Sequence, residues 1–255
     1  MEKRKVFFKN SRGQKLCGIL EGPERAKAGV LLIPGYASGK DEWFSFFADY
    51  SSVLNKAGFL TLRFDRSGIG ESEGDFAEST PETELGDCMA AYKYFKKMCD
   101  SVGIAGHSMG GVLAVMLASR VRAKALVSSA PPAAAAILWK ELFTDKQMKE
   151  MKTEGKTKIP SDWEEKFGIR FLGMKYFSAL EGFDIAVYAG NVKVPTLILY
   201  GTKDETVDMN VHAKPLYDAL KCEKSLVAIE GDGHDFKSHR DKFFSIAAAW
   251  FKKYL

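Results

Sequence analysis

The sequence has few of the features that mark a metalloprotein, a membrane protein or a nucleic-acid-binding protein. Its four cysteines lie far apart and form no C-x-x-C or cysteine–histidine cluster, which argues against structural zinc and favours a reduced, cytoplasmic protein. No stretch approaches the roughly 18 consecutive apolar residues of a membrane span. The net charge of +4 is small and scattered, so no nucleic-acid partner is expected. The amino terminus carries charge without a following apolar run, so we expect no secretory signal.

Strand-like and helix-like segments alternate along most of the 255 residues. Apolar runs and alternating patterns predict strands at residues 6–9, 15–20, 29–33, 59–64, 101–105, 123–128, 194–200 and 225–229. Apolar residues at helical spacing predict helices at residues 41–56, 81–98, 109–120, 210–220 and 238–253. Thr80 is the expected N-cap of the second helix, with Pro81 as its first residue. This order predicts an α/β fold with a mostly parallel central sheet and helices on both faces.

One segment, between Pro131 and Asn191, interrupts this alternation. It contains no clear strand, and it combines a charged, helix-prone stretch with an aromatic-rich one. We interpret it as an insertion between two core strands that caps the carboxyl-terminal edge of the sheet. The predicted organisation is therefore a core of residues 1–130 and 191–255 with a cap insertion of residues 131–190.

The pattern G-x-S-x-G occurs twice, around Ser108 and around Ser72. A nucleophilic serine of this motif needs a tight turn from a strand into a helix. Ser108 follows the strand-like SVGIA and precedes the apolar, helix-like MGGVLAVMLAS, whereas Ser72 lies in an acidic loop. The context therefore predicts Ser108 as a nucleophile, against the alternative of an ordinary glycine-rich turn.

A serine hydroxyl needs a neighbouring base to accept its proton, and the chain has four histidines. His234 follows the last predicted strand, at the edge of the sheet where Ser108 also emerges. His239 is the second choice, because it lies one helix turn into the next predicted element, further from the end of the strand. His107 is expected to pack beside the turn, and His212 is expected on the surface of a helix.

The acid that orients the base is predicted to be Asp204. It ends the loop Gly201-Thr202-Lys203-Asp204, which follows the strand-like VPTLILY. The chain order serine, aspartate, histidine is the one expected for this architecture. Glu205 and Asp208 are interpreted as solvated loop charges.

Main-chain amides that stabilise an oxyanion are predicted at Tyr36 and Met109. Residues 33–40 leave the strand GVLLI at the same sheet edge, and Gly35 lets the main chain approach a reacting carbonyl. Met109 begins the helix after Ser108, where the helix dipole favours negative charge. The alternative is an ordinary turn at Gly35.

Five stretches together resemble the α/β-hydrolase superfamily: LLIPGYASGKDEW, FDRSGIGESEG, GIAGHSMGG, VPTLILYGTKDETV and EGDGHDF. More closely, the chain resembles the small bacterial cinnamoyl (feruloyl) esterases and the related serine aminopeptidase or monoacylglycerol-lipase-like group. Members of these groups usually have His-Gly where this chain has Pro34-Gly35. The resemblance implies that Asp65 and Gly68 belong to a structural loop near the site rather than to the triad.

These residues favour a serine carboxylic-ester hydrolase that acts through an acyl-enzyme on a small-molecule ester. A thioesterase, peptidase or acyltransferase would keep Ser108 and change the bond or the acceptor, and a non-catalytic ligand-binding protein remains the alternative of another class. No metal and no organic cofactor is expected, because Ser108 supplies the nucleophile and no ligand cluster is present. The sequence leaves the oligomeric state open.

The substrate-binding candidates are Gly35, Tyr36, Trp139, Trp163 and Phe171. The last three belong to the aromatic-rich insertion, whose aromatic side chains are also expected to form its own core. An apolar wall facing Ser108 would exclude water and favour an apolar acyl group. We therefore expect neutral esters with small aromatic or short-to-medium acyl groups, including hydroxycinnamates.

Overall fold

A computed structural model describes residues 2–24, 26–135 and 143–255 of the chain. Within them lie the strands β1 (Glu2–Lys9), β2 (Lys15–Gly22), β3 (Ala28–Ile33), β4 (Leu60–Phe64), β5 (Ser101–His107), β6 (Ala125–Ser129), β7 (Lys156–Lys158), β8 (Phe171–Gly173), β9 (Thr196–Gly201) and β10 (Lys224–Ile229). The helices are α1 (Phe46–Lys56), α2 (Pro81–Phe95), α3 (Met109–Ala118), α4 (Asp145–Glu154), α5 (Ser161–Phe167), α6 (Met174–Leu180), α7 (Ile185–Ala189), α8 (Met209–Ala219) and α9 (Arg240–Tyr254). Among these described residues, no helix is both long enough and apolar enough to cross a bilayer.

Eight strands form one sheet in the order β1-β2-β4-β3-β5-β6-β9-β10. β1 pairs antiparallel with β2, and β2 pairs antiparallel with β4. The remaining pairs in this sheet are parallel. The prediction of an α/β fold with a mostly parallel sheet is confirmed.

Helices cover both faces of this sheet. A side chain added at Gly103 of β5 would collide with Phe251 of α9, and one added at Gly106 would collide with the main chain of Gly110 in α3. Because residues three apart on a strand point to opposite faces, α3 and α9 lie on opposite sides. The central strands are therefore enclosed, which explains why β3 is a continuous run of apolar residues and why all five residues of β4, including Thr61 and Arg63, are buried.

The helix predicted over residues 41–56 begins later than expected, at Phe46. A 3₁₀ turn over Trp43–Ser45 precedes it, and Glu42, Phe44 and Ser45 all have positive φ angles. Positive φ angles are incompatible with an α-helix. The prediction relied on the spacing of apolar residues alone and therefore began the helix too early. In contrast, α2 begins as predicted, with the Thr80 side chain accepting a hydrogen bond from the Thr83 amide.

The segment between Pro131 and Asn191 contains two strands, so the expectation that it has none was wrong. β7 and β8 pair antiparallel in a separate two-stranded sheet. Each strand has only three residues, which is too short to produce a readable alternation of apolar and polar positions. Helices α4 to α7 also lie in this segment, and turns and irregular stretches connect them.

The parallel strands end together at one edge of the sheet. Ile33 lies opposite Gly106, His107 opposite Ser129, and Gly201 opposite Ile229. The loops that follow β3, β5, β9 and β10 therefore emerge side by side, which is where parallel sheets bind ligands.

Candidate active site

Ser108 lies on a sharp turn between β5 and α3. Its φ of 54° and ψ of −127° are unusual for a residue with a side chain. Its main-chain N–H donates to the carbonyl oxygen of Ser129 at 2.8 Å, which ties the turn to β6. This strained main chain is the conformation expected of a serine on the strand-to-helix turn of a G-x-S-x-G motif.

The two glycines around Ser108 are required by close main-chain contacts. A Cβ atom at Gly106 would lie 2.0 Å from the carbonyl oxygen of Gly110, and a Cβ atom at Gly110 would lie 2.1 Å from that of Ile33. Any side chain at either position would force the strand and the helix apart. Close packing of the main chain therefore explains both glycines of the G-x-S-x-G pattern around Ser108.

Asp204 and His234 form a hydrogen-bonded pair across the loops after β9 and β10. Nδ1 of His234 lies 2.8 Å from Oδ2 of Asp204, whose side chain is completely buried. The other carboxylate oxygen, Oδ1, accepts hydrogen bonds from the amides of Thr206 at 2.9 Å and Val207 at 2.7 Å. A carboxylate only accepts hydrogen bonds, so a neutral His234 ring that bonds Asp204 through Nδ1 carries its proton there and leaves Nε2 as an acceptor.

The other three histidines make contacts of a different kind. His107 is buried, and its ring centroid lies 4.9 Å from that of His234 and 5.2 Å from that of Phe46. His212 was expected on the surface, but it is buried, and its Nδ1 accepts a hydrogen bond from the Ala134 amide at 3.0 Å. His239 is the N-cap residue of α9, and its Nδ1 lies 3.5 Å from Asp232.

Replacing His107 with glutamine is expected to make folding less sensitive to acid. Burial, and then the neighbouring His234, hold the pKa of His107 well below its usual 6.5. Below about pH 6.5 the unfolded chain therefore binds a proton that the folded chain excludes, so the free energy of unfolding falls as the pH falls, by up to about 1.4 kcal/mol per pH unit. Urea unfolding between pH 5 and 8 measures this slope.

The matched control is His239→Gln, which changes an exposed histidine. We expect the acid slope to be shallower in His107→Gln than in this control. Equal slopes would mean that the folded protein accepts a proton on His107.

A cavity of about 200 Å³ brings most of the predicted site residues together. Its lining includes Gly35, Tyr36, Ser108, Met109, Trp163 and His234. Asp204 is not part of this lining, and its hydrogen bond to His234 connects it to the cavity. A wider groove of about 570 Å³ lies between β1 and α2, and its lining includes none of these residues. The smaller cavity is therefore the candidate active site.

Several lining residues were not anticipated from the sequence. Glu42, Trp43, Thr206 and Asp235 all line the cavity. Thr206 and Asp235 lie within two residues of Asp204 and His234, and that proximity was the available signal for these two. Their orientation toward the cavity depends on loop conformation, including the positive φ of Glu42.

Gly35 lies against Ser108. A Cβ atom at this position would be 3.3 Å from the Cβ of Ser108 and 3.1 Å from Oε1 of Glu42, so only glycine leaves this approach unobstructed. Met109 begins α3, and the first N–H groups of a helix have no partner inside it. Tyr36 directly follows Gly35, and Met109 directly follows Ser108, so both amides belong to segments that adjoin Ser108.

The three aromatic candidates of the insertion differ in position. Trp163 faces the cavity, and its ring centroid lies 5.9 Å from that of Trp43. Phe171 instead lines a separate depression beside Lys156, whose Nζ lies 4.5 Å from its ring. Trp139 lies outside the described residues.

One group in the described part of the chain has the composition of a metal site: Cys17, Asp65 and Glu71. Lys40 already bridges it, because its Nζ donates to Asp65 at 2.8 Å and to Glu71 at 3.1 Å. Burial raises the pKa of Cys17 to about 11, so its thiol is protonated at neutral pH. The lysine supplies the positive charge at this position, and the group lies outside the cavity lining.

Comparison with known proteins identifies the class. The model of the alpha/beta hydrolase family matches residues 30–245, and the chain therefore belongs to that family. Esterase EstD of Thermotoga maritima is 28% identical over 178 residues, which are 63% of this chain and 42% of EstD. The mitochondrial palmitoyl-protein thioesterase ABHD10 of mouse is 26% identical over 186 residues, covering 70% of this chain and 59% of ABHD10.

A solved structure extends the likeness to nearly the whole chain. Est1E of Butyrivibrio proteoclasticus, with ferulic acid bound, has a TM-score of 0.82 to this protein. The sequences are 23% identical, and the match covers 98% of each chain, which shows a common fold. The protein is an α/β hydrolase whose relatives include an esterase and a thioesterase.

Proposed function

We propose that this protein is a serine carboxylic-ester hydrolase with Ser108 as nucleophile, His234 as general base and Asp204 as the orienting acid. The carrying observation is the cavity, which Ser108 and His234 line together while Asp204 holds the imidazole from behind. A ligand-binding protein on the same fold would not require this arrangement. The family membership and the esterase relative support the same reaction class.

The chemistry follows from the orientation of His234. With Nδ1 donating to Asp204, Nε2 accepts the proton of Ser108 Oγ as the oxygen attacks the ester carbonyl. The amides of Tyr36 and Met109 donate to the oxyanion, and the protonated imidazole then returns its proton to the leaving alcohol. Water repeats the sequence on the acyl-enzyme and releases the acid.

The test of the reaction class is active-site labelling. A fluorophosphonate probe is expected to modify the wild-type protein at Ser108, located by peptide mass spectrometry, because Ser108 is activated by His234. Ser72→Ala is expected to label normally, because Ser72 Oγ is engaged with the Cys17 amide and the Asp65 carbonyl. Absence of labelling in the folded wild-type protein would contradict the proposal.

We infer that the substrate is a neutral ester with a small aromatic or short-to-medium acyl group, including hydroxycinnamates. The cavity is smaller than the about 300–1,000 Å³ usual for drug-sized ligands, and Trp43 and Trp163 line it. Glu42 and Asp235 also line it, so an anionic acyl group would meet like charges. The ferulic acid bound to Est1E is consistent with this class.

Trp163→Leu is expected to lower kcat/KM for methyl ferulate by roughly 10-fold, because the aromatic contact to the acyl ring is lost. The loss for p-nitrophenyl acetate should be smaller, because acetate has no ring. Phe171→Leu is the matched control, since Phe171 lies in the separate depression. Equal losses for both esters would contradict an aromatic subsite at Trp163.

A thioesterase is the second candidate, favoured by the relative ABHD10. The distinguishing measurement is kcat/KM for methyl ferulate, p-nitrophenyl acetate, butyrate and laurate, an acyl thioester and an aminoacyl amide. We expect graded preferences among the esters, because each buried methylene changes the barrier by only about 1–3 kcal/mol. A dominant thioester or amide would replace the ester assignment.

We also propose that residues 131–190 form a cap over the core and that the protein is cytoplasmic. Two contacts support the cap: Trp163 lines the cavity, and the Gly70 amide donates to the carbonyl oxygen of Phe167 at 2.8 Å. The proposed cytoplasmic location is supported by the four cysteines, which are all free, because a reducing compartment keeps thiols unpaired.

A further inference from the structure

Two buried charged side chains hold the main chain at Pro34 and Gly35. Nη1 of Arg66 donates to the carbonyl oxygen of Pro34, and Nη2 donates to that of Gly35, both at 2.6 Å. Oε1 of Glu42 accepts the N–H of Gly35. The Glu42 carboxylate is in turn held by Oγ of Ser38 at 2.5 Å.

These contacts determine the direction of the N–H group of Tyr36, the residue after Gly35. In a planar trans peptide the C=O and N–H bonds point in opposite directions. In the Pro34–Gly35 peptide, the carbonyl oxygen therefore accepts a hydrogen bond from Arg66, and the N–H group donates one to Glu42. The Gly35–Tyr36 peptide also has its carbonyl on Arg66, so the N–H of Tyr36 points away from the guanidinium. This peptide lies next to Ser108, as the close approach of Gly35 requires.

Arg66 is itself fixed from behind. Its Nε donates to Oε1 of Glu84 at 2.9 Å, and Oε2 of Glu84 accepts the hydroxyl proton of Tyr176 at 2.9 Å. The side chains of Arg66 and Glu84 are 0% and 1% exposed. A buried ion pair is often no more stabilising than well-packed apolar residues of the same volume. Stability alone therefore does not account for a pair at this position.

We propose that Arg66 is a positioning residue for the oxyanion hole, with Glu42 as the opposing anchor of the same loop. Arg66 orients the Gly35–Tyr36 peptide before the substrate binds, so that the Tyr36 amide needs no reorientation as negative charge develops. The guanidinium also polarises the Gly35 carbonyl, which strengthens the N–H of the same peptide as a donor. This inference rests on the proposed function, because it requires Ser108 to form an oxyanion.

The principal test compares Arg66→Lys with Arg63→Lys. Lysine keeps the charge but cannot supply the planar fork that contacts two carbonyls and Glu84 at once. We expect Arg66→Lys to lower kcat for p-nitrophenyl acetate by about 10²-fold with little change in KM, because the donor acts in the transition state. Arg63 is equally buried but pairs with Glu21 and Asp41, so Arg63→Lys should retain near-wild-type activity.

A second readout separates positioning from general loosening. Phenylboronic acid forms a tetrahedral adduct with the serine oxygen and mimics the transition state. Its Ki should rise by the same factor as kcat/KM falls in Arg66→Lys. Inhibition by ferulamide, a neutral and planar analogue that carries no tetrahedral centre, should change little. A loosened active site would weaken both inhibitors.

Further variants test the proposal if Arg66→Lys does not fold, which a thermal melt would show. Tyr176→Phe removes only the hydroxyl that holds Glu84, and we expect a loss of kcat of about fivefold. Glu42→Gln keeps an acceptor for the Gly35 amide, so it should lose less activity than Glu42→Met, which has none.

The outcomes distinguish the inference from the function on which it rests. An active, labelled wild-type protein whose Arg66→Lys variant resembles Arg63→Lys would overturn the positioning role alone. So would normal kcat in both Tyr176→Phe and Glu42→Met. A folded wild-type protein that neither labels at Ser108 nor hydrolyses esters would overturn the proposed function, and the positioning role with it.

Discussion

Ser108→Ala is expected to lower kcat for ester hydrolysis by about 10⁴–10⁶-fold, and His234→Ala should cause a loss of similar size. In the proposed mechanism, alanine at position 108 removes the attacking oxygen, and alanine at position 234 removes the group that accepts its proton. The double variant should be little worse than either single variant, because the two residues act in the same step. Steady-state kinetics with p-nitrophenyl acetate measure all three losses.

Ser72→Ala is the control for these substitutions, because Ser72 lies in the second G-x-S-x-G match. Its hydroxyl makes two main-chain hydrogen bonds, so this variant should lose about 1 kcal/mol of stability and keep its activity. Strictly additive losses in the double variant, or activity that survives Ser108→Ala, would refute the assignment of the nucleophile and base.

Asp204→Asn is expected to lower kcat by about 10⁴-fold while the fold is retained. The amides of Thr206 and Val207 both donate to Oδ1, so the asparagine oxygen will occupy that position. The asparagine NH₂ group then replaces Oδ2 and faces Nδ1 of His234. A donor there makes Nδ1 an acceptor and places the proton on Nε2, where it blocks transfer from Ser108.

The control in the same loop is Glu205→Gln, which removes an exposed charge next to Asp204 and should leave kcat unchanged. Circular dichroism and thermal melts establish that both variants fold. If Asp204→Asn retains more than a small fraction of wild-type kcat, Asp204 does not set the tautomer of His234.

The predictability of the fold differs between the core and the inserted segment. Strands β3, β5 and β9 are buried runs of mainly apolar residues, and enclosure by helices explains why they could be located from composition. The three-residue strands β7 and β8 were missed, because each is too short to show an alternation of apolar and polar positions. The prediction for His212 failed for a different reason: its helix buries that position against the segment around Ala134, which is distant in sequence.

The residues of the candidate site also differ in how far they could be predicted from the sequence. The motif around Ser108 and the order of Asp204 and His234 could be found because each follows a predicted strand. Arg66 could not be found in this way, because it lies 32 positions from Pro34 along the chain. Its contacts arise only when β3 and β4 pair side by side.

The sequence by itself determined the alternation of strands and helices and the expected positions of Ser108, Asp204 and His234 at the ends of strands. Local chemistry suffices for these, since glycine spacing, apolar runs and loop position are readable without contacts. Only the tertiary structure decided that Trp163 faces the cavity while Phe171 lies elsewhere, and that Arg66 and Glu42 hold the loop at Gly35. These features depend on the directions of side chains and peptide groups, which are set by packing between segments that are distant in sequence.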